Sequence, residues 1–161
     1  MPEFKTSIEV DDQFQLFEIA GWSEASLAAL LHQLDLPLPP QPGEVSTAAG
    51  HRVLRIQPRL AWVLAGSDTQ PLAIPTDNGV IVDLSSSRVR LHLTGHMADT
   101  LRRLVAVDFD RLESTTFIAS VIHGIPVTIL RASAAFELLV PRSFAASLVE
   151  WIDDAALALV R

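Results

Sequence analysis

The sequence predicts an α+β fold, built as two βαββ-like halves of largely antiparallel sheet with helices packed against it. Three observations carry this. Short apolar runs alternate with polar residues at the period of a strand, most cleanly in "SRVRLHL" at residues 87–93. Three longer stretches place apolar residues at helical spacing. The connections between these runs are mostly short, which favours antiparallel neighbours.

The elements follow in order. "FQLFEIAGW" (14–22) reads as a strand that enters a turn at Gly21. In "SEASLAALLHQLDL", Ser23 is placed to cap a helix and Glu24 suits the first turn. Leu27, Leu30, Leu31 and Leu34 form its apolar stripe. "PLPPQPG" holds four prolines within six residues, which excludes helix and central strand. It reads as an extended surface connection, with a partner-binding strap as the alternative. "HRVLRIQP" and "LAWVLAG" are two short strands around Pro58 and Arg59. "SDTQPLAIPTDNG" is a loop ending on the Asn78-Gly79 turn signal. It divides a single domain, 1–161, into halves of about 1–78 and 79–161.

The second half opens with "GVIVDL", read as a buried strand. In the next strand Val89, Leu91 and Leu93 point one way, and Arg88, Arg90 and His92 the other. "HMADTLRRLV" puts Met97, Leu101 and Leu104 on one helical face, starting at Thr94 or Gly95. "FIASVI", "IPVTILR" and "AFELLV" are three strands, separated at His123-Gly124 and Ala132-Ser133. A final helix carries Phe144, Leu148, Ile152, Ala155 and Leu159 as one stripe. The two halves echo each other in order without repeating in sequence.

Composition excludes several classes. Apolar residues make up 49% and charged residues 19%, enough for a packed core. No run of apolar residues reaches the length of a membrane span. The N-terminal stretch has early acids and no apolar segment of signal type, so the expected compartment is the cytoplasm. Without cysteine the chain has no disulfide, thiolate nucleophile or Cys metal site. The net charge of −7 is concentrated in the first half, which argues against nucleic acid and anionic membrane as partners. In the second half every base is arginine, the cation suited to bidentate interface pairing.

The reactive residue types do not assemble into a motif. Ser85, Ser86 and Ser87 lack the flanking glycines of a nucleophile at a sharp turn, so they read as a turn whose hydroxyls satisfy backbone groups. His92 and His96 are four apart but straddle a strand-to-helix turn, which is not a one-face metal spacing. His32 reads as exposed and His123 as a turn residue. Of the carboxylate pairs, Asp11-Asp12 is placed in a loop and Asp108/Asp110 in a turn. Asp153-Asp154 falls on a solvated helix face. No glycine-rich phosphate loop is present. The expectation is therefore no catalytic, cofactor or metal residue in this chain. Arg88, Arg90 and His92 remain as candidate partner-interface residues, either a solvated face or a strand that meets another protein. Trp22, Trp62 and Trp151 are core by default and hot spots if exposed.

The order of features from residue 79 to 160 resembles the gamma subunit family of heterotetrameric sarcosine oxidase. The likeness rests on "DLSSSR", with Asp83, Ser85 and Arg88. It continues in a small helix after Gly95 that runs to Asp108, hairpin strands, and the Arg142-Ser143 entry to a terminal helix with Trp151. The first half matches in outline only. The resemblance implies a fold similar to the folate-binding domain of aminomethyltransferases. It implies a non-catalytic role supporting assembly with alpha, beta and delta subunits. It implies that those partners carry FAD, FMN, NAD, zinc and the tetrahydrofolate acceptor. Two rival readings stay open. One is a free-standing folate-binding or one-carbon-transfer protein, in which Asp83 or Glu137 would meet the pterin. The other is a homo-oligomeric structural protein.

Overall fold

The computed structural model describes residues 6–67, Leu72 and 77–160, and every structural statement concerns these residues. Each half of the chain begins with a strand that it gives to the other half's sheet. The first sheet contains β2 (Phe14–Gly21), β3 (Val45–Ala48), β4 (His51–Gln57), β5 (Leu60–Gly66) and β6 (Gly79–Asp83). Its order is β3-β4-β5-β2-β6. The second contains β1 (Ser7–Asp11), β7 (Arg88–Thr94), β8 (Phe117–Ile122), β9 (Ile125–Ala132) and β10 (Ala135–Pro141). Its order is β1-β7-β10-β9-β8. All pairings are antiparallel.

The two orders are one topology. β2 corresponds to β7, and the helix after each is followed by three strands that return in the same sequence. The edge strand beside β2 is β6, which immediately precedes β7. The edge strand beside β7 is β1, which immediately precedes β2. The compact units are accordingly Gln13–Ser86, and the residues up to Asp12 joined with those from Ser87 onward. The expected division near residue 78 differs from this boundary. β6 pairs with β2 along Phe17–Gly21, so the chain leaves the first unit only in the 3-10 turn Ser85–Ser87. Most of the expected loop at 67–79 lies outside the described residues.

In the first unit α1 (Glu24–Gln33) covers one face of the sheet. The Ser23 hydroxyl accepts from Ser26 N at 3.0 Å, satisfying one of the helix's free amides as expected. Leu27, Leu30 and Leu31 are buried against Phe17, Ile19, Val53, Ala61 and Val63. Gly79 permits the close approach of β6 to β2, since a Cβ there would lie 2.0 Å from the Ala20 carbonyl oxygen.

In the second unit α2 is short (Met97–Arg102) and has no side-chain cap. The chain continues through irregular backbone that still feeds the core with Val105, Phe109 and Leu112. α3 (Ala145–Leu157) completes the cover with Leu148 and Ile152. His123 and Gly124 both have positive φ, 48° and 81°, as a two-residue hairpin loop between β8 and β9 demands.

Several expectations are corrected. β1 and β3 are additional strands. β6 is an exposed edge strand, because β2 flanks it on one side only. Asp11 ends β1 instead of lying in a loop. Phe144 and Leu159, expected in the α3 stripe, are exposed because they fall just outside the helix.

Candidate functional site

The β7 alternation directs Val89, Leu91 and Leu93 into the core under α2 and α3, and Arg88, Arg90 and His92 to the opposite face. β1 lies on one side, with Asp11 opposite Arg90 and Glu9 opposite His92. β10 lies on the other, with Glu137 opposite His92 and Pro141 opposite Arg88. This register brings two of the three expected residues into one charged cluster. Arg90 donates from Nε and Nη2 to Asp11 Oδ2 at 3.0 and 2.6 Å. His92 stands between two carboxylates, with Nε2 3.8 Å from Asp11 Oδ2 and Nδ1 3.6 Å from Glu137 Oε1. The histidine distances are too long for hydrogen bonds and become ion pairs only with a protonated imidazole. Glu137 is only 5% exposed.

Arg88 also reaches the turn that precedes β7. Its Nη1 donates to the Ser87 carbonyl and hydroxyl at 3.4 and 3.2 Å, and its own carbonyl accepts from Arg142 Nη2 at 3.4 Å. Arg142 Nη1 also lies 3.7 Å from Asp12 Oδ2. Asp11 and Asp12 therefore meet arginines of β7 and of the turn before α3. The arrangement fastens the leading strand β1 to the sheet. None of Asp11, Arg90, His92 and Glu137 is a hydroxyl or thiol nucleophile. Their opposite charges neighbour each other, which suits positioning.

The serine run is structural in the same sense. Ser85 Oγ accepts from Leu16 N at 2.9 Å, and Ser85 N donates to Asp83 Oδ1 at 2.9 Å. Asp83 and Ser85 thereby lock the end of β6 to the start of β2. His96 offers its carbonyl to Thr100 Oγ1 at 3.2 Å at the start of α2. The His123 ring stacks on Trp151 with centroids 4.6 Å apart. Among the described residues no group of three or more His, Asp or Glu could hold a metal ion. Asp108 caps its 3-10 turn through Asp110 N at 3.2 Å. Arg102 bridges Asp99 and Asp110 at 2.6 and 2.7 Å, and the Asp99 hydrogen bond is the main cause that raises its pKa above the ordinary value.

Sequence reasoning missed Arg55. It is 6% exposed and donates from Nη1 to the Pro39 and Pro40 carbonyls at 3.0 and 2.7 Å. Nη2 reaches Glu24 Oε2 at 3.0 Å and the Pro58 carbonyl at 3.1 Å. The proline-rich connection is thus moored to β4 and α1. A signal existed: prolines keep their carbonyls but supply no N–H, so such a segment needs donors from elsewhere. Of the tryptophans, Trp62 donates to Glu18 Oε2 at 2.9 Å, while Trp22 is 60% exposed.

Neither a protein-family model nor a curated protein matches this sequence. Solved structures do. A chain of the heterotetrameric sarcosine oxidase from Corynebacterium sp. U-96, in complex with pyrrole 2-carboxylate, superposes with a TM-score of 0.83 at 24% identity. That match covers 98% of this chain and 87% of the other. The glycine cleavage system aminomethyltransferase T from Bartonella henselae superposes with a TM-score of 0.60 at 15% identity. It covers 91% of this chain but only 45% of the aminomethyltransferase. No helix among the described residues is long and apolar enough to cross a membrane. The α+β architecture of two antiparallel sheets with helices is the one shared by a chain of heterotetrameric sarcosine oxidase and by the aminomethyltransferase, as the resemblance of residues 79–160 implied.

Proposed function

We propose that this chain is a non-catalytic, gamma-type subunit of a heterotetrameric, flavin-dependent sarcosine oxidase or a related complex that demethylates N-methyl amines. It acts by binding and ordering larger alpha, beta and delta subunits in the cytoplasm. FAD, FMN, NAD, zinc and the tetrahydrofolate acceptor belong to those partners. The observation that carries this reading is the extent of the fold correspondence, 98% of this chain against 87% of the sarcosine oxidase chain. The site geometry supports it, because the reactive-looking residues hold strands in place. Within the expected partner row, Arg90 and His92 face Asp11 and Glu137 inside their own sheet. The proposed partner contact is the row Arg88, Arg90 and His92, whose last two members are oriented by those carboxylates.

The test is purification of the tagged chain from its native cells. Stoichiometric recovery of larger chains with a flavin absorption spectrum is expected. Recovery of this chain alone would overturn the proposal.

The aminomethyltransferase likeness favours a second reading, a free-standing folate-binding or one-carbon-transfer protein. Of the two carboxylates it would use, Asp83 accepts from Ser85 N and Glu137 is buried beside His92. Calorimetry with tetrahydrofolate separates the readings. The subunit reading expects no heat from this chain at about 1 mM ligand.

A further inference from the structure

Among the described residues the exchanged strand β6 is open on its outer side. It pairs with β2 through Phe17–Gly21, and among the described residues no strand flanks it beyond. The direction of its backbone groups follows from the ladder. Leu84 N donates to Leu16 O at 2.8 Å and Trp22 N to Asn78 O at 3.2 Å, so the even-numbered residues of this stretch face β2. Ile81 and Asp83 therefore turn their N–H and C=O groups to the open edge. Val80 and Val82 are 45% and 44% exposed on the face away from α1, and Trp22, 60% exposed, follows β2 opposite Asn78. The Trp22 backbone is held by Asn78 O and by Arg59 Nη1, which donates to the Trp22 carbonyl at 3.0 Å. The indole is thus presented from a fixed main chain.

Edge strands of soluble proteins are commonly guarded by lysine, proline or inward-pointing charge. β1 carries Glu9 and Asp11 at its edge, and Asp11 is tied to Arg90. The sequence "GVIVD" of β6 has no such guard between its ends. Its charges are Asp77 just before the strand and Asp83 at its end. Antiparallel pairing of two copies about Val80 would set Asp83 of each opposite Asp77 of the other, a like-charge arrangement.

We propose that β6 is a docking edge for an extended apolar segment of a partner protein whose ends carry lysine or arginine, which adds to the first sheet as a sixth strand. Main-chain bonds at Ile81 and Asp83 supply affinity. Val80 and Val82 select apolar side chains, and Asp77 and Asp83 meet the basic ends. The identification of this segment with a subunit of a larger complex rests on the function proposed above; the edge itself does not.

The test uses the full chain and a short synthetic peptide of alternating valine and threonine with a lysine at each end. Amide hydrogen exchange is read residue by residue. Peptide at about 1 mM should slow exchange at Ile81 and Asp83 by about tenfold or more. Val80→Lys with Val82→Lys should abolish this, while Val10→Lys on β1 should not. Absence of protection, or protection that survives the double variant, would overturn the proposal. So would concentration-dependent protection of the same amides without peptide, which would make a second copy the occupant. Failure to recover large subunits from native cells would instead overturn the proposed function and leave this result standing.

Discussion

The two units solve one topology with different means of covering and fastening it. In the first, one capped helix, α1, lies over the sheet, and among the described residues nine form the buried cluster beneath it. In the second, the equivalent helix α2 has six residues and no side-chain cap, yet among the described residues the buried cluster holds eighteen. The difference is made up by α3 and by the irregular segment through Val105, Phe109 and Leu112. A short, uncapped helix is sufficient where another element shares its load, since most helix stability in proteins comes from packing. The units also differ in how they hold their borrowed strands. β6 is locked by the neutral hydroxyl of Ser85 and the Asp83 turn, whereas β1 is locked by the Asp11–Arg90 ion pair.

The sharpest way to break this comparison is to hollow each core. Leu148→Ala in α3 should cost about 3–5 kcal/mol in urea unfolding, because the side chain is fully buried. An effect near zero would mean that α3 is an ornament. Arg55→Ala should cost about 2–4 kcal/mol, confined to the first unit, by stranding the carbonyls of Pro39, Pro40 and Pro58. Amide exchange in β4 should rise while that in β9 stays put.

Smaller effects sharpen the contrast in fastening. Asp11→Ala and Arg90→Ala should each cost about 1–2 kcal/mol, for a pair that is 20% and 17% exposed. Their double variant should fall short of the sum by about 1 kcal/mol, and strict additivity would deny the clasp. At the start of α1, Ser23→Ala should cost about 1 kcal/mol by the same measurement.

Much of this was legible in the sequence, and the reasons differ element by element. The α1 stripe and the β7 alternation were readable because periodicity and burial coincide there. β1 and β3 were not, because short edge strands with polar partners carry little pattern. The exchange of leading strands was invisible, since the contacts that fix it join residues such as Asp11 and Arg90, 79 apart in the chain. The Asn78-Gly79 turn does mark where the second repeat begins in sequence. It misleads about space, because β6 belongs to the other sheet. The Arg88, Arg90 and His92 row was identified by type and face, but the carboxylates that engage it sit on two other strands. Arg55 was passed over because an arginine inside an alternating strand reads as outward.

The proposed role is to support a reaction that the partner subunits carry out. The most direct measurement is turnover per assembled complex, with flavin content as the count of complexes, in the wild type and in an Arg90→Gln, His92→Gln chain. Less assembled complex with unchanged turnover per flavin is expected. A complex that assembles fully but turns over about a hundredfold more slowly would contradict it, and would make these residues catalytic.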